Sequence, residues 1–238
     1  MLVEGRALAL AGRPARPPRI GGTLVVASWF GHMEGTHMAT SPENFPRPSF
    51  DPAPQTSGEK KAVLAGGCFW CVEAVYRQLD GVGDVVNGYA GGTAREADYG
   101  TVSTGMTGHA EAVEVKYDAS RVSYGDLLRV FFSIAHDPTQ ADGQGHDIGP
   151  QYRSEIFAGD DPEAEVAKRY IAQLDAAHVF DHPIVTKVSR LDRFYPAEDY
   201  HQDYAAKHPD QPYIRAVAAP KVAKLRKYFA DRLKTVAR

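Results

Sequence analysis

The sequence has only two cysteines in 238 residues, and both fall in one Cys-x-x-Cys, Cys68 and Cys71. That excludes the framework of a disulfide-stapled secreted domain and points to a reducing compartment, so a cytoplasmic location is the expectation. A zinc site built on two cysteine pairs is excluded as well. No apolar run approaches the roughly 20 residues needed to span a bilayer, and no membrane association is expected. Neither sign of charge dominates: 27 Lys and Arg stand against 30 Asp and Glu, net −3. Such a balance implies neither a basic surface for nucleic acid nor an acidic tail. What is present is hydrophobic residue, 43% of the chain, enough for one sizeable core.

Met1 to Gly58 differs in character, being rich in Pro, Gly and Arg, as in GRPARPPRIGG and SPENFPRPSFDPAP. Proline fixes φ and removes a backbone donor, so regular structure is not expected there. One apolar run, TLVVASWF at Thr23–Phe30, interrupts it. It reads either as a targeting signal or as part of a disordered extension. The second reading is preferred, because the run sits late and lacks a small-residue cleavage site. Met33 or Met38 could then be the true initiator. The folded domain is expected over 59–238.

KAVLAGG reads as a buried strand ending at a glycine pair. Val72, Val75, Tyr76 and Leu79 fall at helical spacing up to Gly81. DVVNGYAGG is strand-like, and Ala94–Gly108 reads as a loop. HAEAVEVKYD at His109–Asp118 alternates as a strand does. Ser123 caps a helix with Asp126 three residues on, and His136–Gln151 is a second long loop. YRSEIFAG and IVTKVSRL are strands around a helix opened by Asp161-Pro162. FYPAEDYHQDYAAKHP holds a short helix, and Pro220–Lys234 reads as an amphipathic helix docked on its own domain. Mixed hairpins and long loops predict a two-layer α+β sandwich over a regular doubly wound sheet.

Cys68 is placed where strand becomes helix. The first amides of a helix lack internal partners and carry positive partial charge, so a thiol there is expected to be held as the reactive thiolate. Cys71, one turn along, is within reach for a disulfide and could attack an oxidised Cys68. Buried, inert cysteines are the bland alternative. Zinc would need His109 and His146, which lack ligand spacing. On the strand, Glu111 shares a face with Val113, Val115 and Tyr117. Either it is drawn into the core, where desolvation raises a carboxyl pKa and makes a general acid, or it reaches water at the strand end.

GGCFWCVEAV, NGYAGG, TGHAEAVEVKYD, FFSIAHDPTQ, HDIGPQYRS and FYPAEDYHQDY occur in an order that resembles peptide methionine sulfoxide reductase A, from Lys60 to about Tyr213. The resemblance implies a ferredoxin-like core wrapped by long coils. It implies Cys68 as nucleophile and Phe69 and Trp70 as the apolar wall for the substrate's methyl group. Glu111 becomes the acid that protonates the sulfoxide oxygen. Tyr99, Asp147 and Tyr152 become groups around that oxygen. It further implies action on the S epimer of free and protein-bound methionine sulfoxide, thioredoxin as external reductant and no bound cofactor; a monomer is expected. Three departures stand out. The recycling cysteines that many members carry near the C-terminus are absent, the glycine often found after GCFW is Cys71, and His146 replaces a common Asn. The first makes Cys71 the only possible internal resolving thiol. A general thioredoxin-like thiol–disulfide oxidoreductase is the alternative, but Phe-Trp between the cysteines and the GHAE and QYRS segments do not suit it.

Overall fold

The computed structural model describes residues 40–52 and 58–235. The apolar run at Thr23–Phe30 and both candidate initiators lie outside them. The described residues form eight strands: β1 (Glu59–Gly66), β2 (Val82–Ala90), β3 (Ala110–Asp118), β4 (Gly143–Gln144), β5 (Asp147–Ile148), β6 (Ser154–Ala158), β7 (Lys187–Arg190) and β8 (Phe194–Pro196). The α-helices are α1 (Phe69–Tyr76), α2 (Tyr99–Val102), α3 (Tyr124–Val130), α4 (Asp161–Ala176), α5 (Tyr204–Lys207) and α6 (Ala219–Tyr228).

Six strands form one sheet in the order β7-β6-β1-β3-β2-β8, and β4 pairs with β5 as a separate hairpin. The run β1-α1-β2-β3-α3-β6 with central order β6-β1-β3-β2, all antiparallel, is the ferredoxin-like arrangement. β7 adds in parallel to β6 after α4, as a crossover helix allows. Alternation sorts each central strand between two faces. Ala62, Leu64, Val113, Val115 and Ile156 join the helices in the main core. Val63, Ala65, Ala112 and Phe157 form a smaller cluster on the opposite face, with Leu191 and Phe194 packed against it.

Several boundaries differ from expectation. The folded body begins before Glu59: Phe45 is buried edge-on against Phe180, Tyr170 Oη donates to the Pro46 carbonyl, and Arg129 Nε donates to the Phe45 carbonyl at 3.1 Å. Proline-rich composition hid one aromatic anchor. The expected loop 94–108 holds α2, started by Asp98 accepting from the Thr101 amide at 3.0 Å. Phe194–Pro196 is an edge strand on β2. At the C-terminus a helical run opens at Ile214 with a π-turn (Ile214–Ala218), and α6 ends at Tyr228 rather than Lys234. Leu225 and Phe229 dock that segment on the core.

Candidate active site

β1 ends at Gly66, and Gly67 turns the chain with φ +82, a left-handed value that favours glycine. A Cβ on Gly67 would lie 2.5 Å from Gln144 Cβ, so the β4–β5 hairpin can close over the turn only with glycine there. Cys68 is the N-cap of α1, and the Cys71 amide donates to its carbonyl at 3.0 Å. Cys68 is 8% exposed and Cys71 is 1% exposed, both as free thiols. Both pack with Ile214 and Ala218 in one buried cluster.

Burial and the neighbouring Cys71 push the Cys68 thiol well above the ordinary range. Cys71 is pulled down, first by the hydrogen bond from Cys68 and then by Lys221 and Tyr213, against burial and Asp147. At the start of α1 the Phe69 N–H donates to Glu111 Oε2 at 3.0 Å. The amide of Cys71 favours a Cys68 thiolate but does not outweigh burial.

β3 delivers Glu111 into the core, 3% exposed. Its carboxyl is pushed well above the usual carboxylate range by burial, with Cys68 and Asp147 adding and the Phe69 amide opposing. The strand-end alternative is therefore not realised. Around it, α2 places Tyr99, the turn before β6 places Tyr152, and β5 places Asp147. Burial raises both tyrosine hydroxyls, and Glu111 is the next contributor for each. Tyr213, which the sequence did not single out, donates to Asp147 Oδ2 at 2.5 Å and lies 3.9 Å from Cys71 Sγ. Only the distant fold brings it there, 142 residues along the chain from Cys71.

Trp70 is half-buried and stacked on Tyr204, with centroids 3.8 Å apart and planes 9° apart. Its Nε1 donates to His201 Nδ1 at 3.1 Å. Phe69 is wholly buried beneath, 5.0 Å from the His201 ring and 6.0 Å from Tyr89. The segment carrying His201 and Tyr204 is tied down by buried groups that periodicity does not reveal. Glu73, on the first turns of α1, accepts from Asn87 Nδ2 and from the Asp203 amide, both at 2.8 Å. Asn87 Nδ2 also donates to the His201 carbonyl at 2.8 Å, and the Asn87 backbone exchanges hydrogen bonds with the Gln202 amide group.

Cys68, Cys71, Glu111, Tyr99, Asp147, Tyr152 and Trp70 thus converge on one site, with Phe69 as its floor. His109 is elsewhere occupied, its Nε2 2.9 Å from the Thr93 carbonyl. His146 is exposed. Among the described residues no three His, Cys, Asp or Glu side chains cluster in a way that could hold a metal ion. No helix among them is long and apolar enough to cross a membrane.

The family model for peptide methionine sulfoxide reductase matches residues 60–233. Peptide methionine sulfoxide reductase MsrA 2 of Synechocystis sp. is 51% identical over 177 residues, covering 74% of this chain and 83% of that protein. The MsrA of Chromobacterium violaceum is 52% identical over 174 residues, covering 73% and 98%. Among solved structures, reduced Mxr1 from Saccharomyces cerevisiae aligns with a TM-score of 0.57 at 35% identity, covering 68% of this chain and 90% of that one. Methionine sulfoxide reductase A of Corynebacterium diphtheriae aligns with a TM-score of 0.57 at 31% identity, covering 73% and 87%.

Proposed function

This chain belongs to the peptide methionine sulfoxide reductase family, and on that premise we propose that it reduces the S epimer of free and protein-bound methionine sulfoxide through Cys68, with Cys71 resolving the product. One observation carries the assignment of roles: a buried carboxyl, its pKa raised by burial, is anchored on the amide next to Cys68.

Cys68 sulfur attacks the sulfoxide sulfur. Attack drives negative charge onto oxygen, and a donor aimed at that oxygen lowers the barrier. Glu111 gives its proton there and recovers one as Cys68 loses its own. The hydroxyls of Tyr99 and Tyr152 hold the oxygen, and Asp147 with Tyr213 closes that side. Trp70 receives the methyl group. Oxygen passes from the substrate to Cys68, leaving methionine and a Cys68 sulfenic acid. Cys71 attacks that sulfur and expels the oxygen as water, forming the Cys68–Cys71 disulfide. A small dithiol protein of the thioredoxin type returns the pair to thiols by exchange. The enzyme acts as a cytoplasmic monomer and uses no bound cofactor.

Turnover of an S-sulfoxide peptide with thioredoxin tests this reading. Reduction of the S but not the R epimer, with no reduction of insulin disulfides, is the expected result. Insulin reduction without methionine formation would favour a general thiol–disulfide oxidoreductase.

A further inference from the structure

α6 carries a cation that the chemistry above leaves unused. Cys71 packs against Ile214 and Ala218 at the start of the C-terminal helical run. Lys221 follows Ala218 by three residues, so it lies on the same side of that run. Its Nζ donates to the Ala135 carbonyl at 2.6 Å, in a partly buried position. Ala135 ends the π-helical turn (Phe131–Ala135) that continues α3 and packs on both α1 and α6. Among the described residues, Lys221 forms no ion pair with a carboxylate; the nearby cation Lys224 feels both it and Asp137. A partly desolvated charge acts strongly on a neighbouring ionisable group.

Building on the assignment of Cys71 as the resolving thiol, we propose that Lys221 is a positioning residue for the second half-reaction, its fixed ammonium keeping Cys71 a thiolate while Cys68 carries the sulfenic acid. Four groups bear on the charge of Cys71: the Cys68 thiol from the helix start, Tyr213 from the C-terminal segment with its hydroxyl 3.9 Å from Cys71 Sγ, Asp147 from the hairpin and Lys221 from α6. In the reduced protein the Cys68 S–H and Lys221 both support a Cys71 thiolate. The first half-reaction consumes that S–H. Lys221 is then the cation left to oppose burial and the Asp147 carboxylate. Cys71 thiolate attacks the Cys68 sulfur, the S–S bond forms, the S–O bond breaks, and the departing oxygen takes a proton to leave as water. Cys71 is oxidised and the sulfenic sulfur reduced to the disulfide level, so no further oxidant is needed.

The test is rapid-quench measurement of methionine release and Cys68–Cys71 disulfide formation in one turnover without external reductant, across pH, for the full chain, Lys221→Gln and Lys221→Arg. Gln keeps a donor for the Ala135 carbonyl and removes the charge. In Lys221→Gln the disulfide should lag methionine release at pH 7 by about tenfold more than in the wild type. Its pH dependence should move about one unit alkaline, the equivalent shift, and Lys221→Arg should restore both. A Lys221→Gln disulfide phase with wild-type rate and pH profile would overturn the proposal. So would an equal loss of both phases without a pH shift, which marks a helix anchor. If the unmodified chain releases methionine but forms no Cys68–Cys71 disulfide, the resolving role of Cys71 fails first and the proposal falls with it.

Discussion

The Phe69 amide and the Glu111 carboxyl, 42 residues apart in sequence, meet at 3.0 Å in the buried site. This contact joins the central strand β3 to the first residue of α1 and places an acid one residue from the nucleophile. It also uses the amide that would otherwise favour a Cys68 thiolate. The same hydrogen bond positions the acid beside the buried Cys68 thiol, which burial and Cys71 push above its ordinary range.

Replacing Glu111 with Gln preserves shape and removes the proton. The single-turnover rate of methionine formation should fall by about 10²–10⁴-fold, the usual range for a positioned acid. Because burial raises the Glu111 pKa, the wild-type step should be fast at low pH and slow as pH rises through that raised value. Glu111→Gln should lose this dependence. An unchanged single-turnover rate would exclude the acid role.

Cys71→Ser should release about one methionine per chain and then stall with thioredoxin, since no second thiol can resolve Cys68. A sulfenic acid on Cys68 should be trapped by dimedone and seen by mass spectrometry. Continued cycling at the wild-type rate would show that an external thiol attacks the sulfenic acid directly.

Trp70→Ala removes the indole stacked on Tyr204 and leaves His201 Nδ1 without its donor. Loss of one apolar wall for a methyl group corresponds to about 1–3 kcal/mol, or roughly 10-fold or more in kcat/KM. The loss should be as large for free methionine sulfoxide as for a peptide, because both present the same methyl. Steady-state kinetics on the two substrates checks this, and a peptide-only effect would contradict the assignment.

His136 predicts the acid limit of stability. It is buried between the Phe131 carbonyl and Ser154 Oγ, at 3.0 and 2.7 Å, and burial lowers its pKa to about 3. Below the ordinary histidine value of about 6.5 the unfolded chain takes a proton that the folded chain refuses until about pH 3. Stability should therefore fall as pH drops through this window, at up to about 1.4 kcal/mol per unit. Denaturant unfolding of wild type and His136→Gln should show a shallower pH slope in the variant. Parallel slopes would contradict the prediction.

Most strands and both long helices were legible because their cores are periodic. Ala62, Leu64, Val113 and Val115 alternate, and Val72, Val75 and Tyr76 recur at helical spacing. The α2 turn was not, since only Val102 is buried on it. Phe45 was not, because one aromatic in a proline-rich stretch leaves no pattern. Cys68, Trp70 and Glu111 could be read from local motifs. Glu73, Asn87, Gln202, Tyr213 and Lys221 could not, because each acts on a partner brought near only by tertiary packing, and a single polar residue has no period.

The central claim is that Cys68 takes the oxygen and Cys71 resolves it. The most direct measurement treats fully reduced full-length protein with excess methionine S-sulfoxide and no external reductant. Methionine, free thiols and the disulfide map are then read on one sample. The account predicts one methionine per chain, loss of both thiols and a single Cys68–Cys71 linkage. Methionine produced with both thiols intact, or thiol loss without methionine, would contradict it.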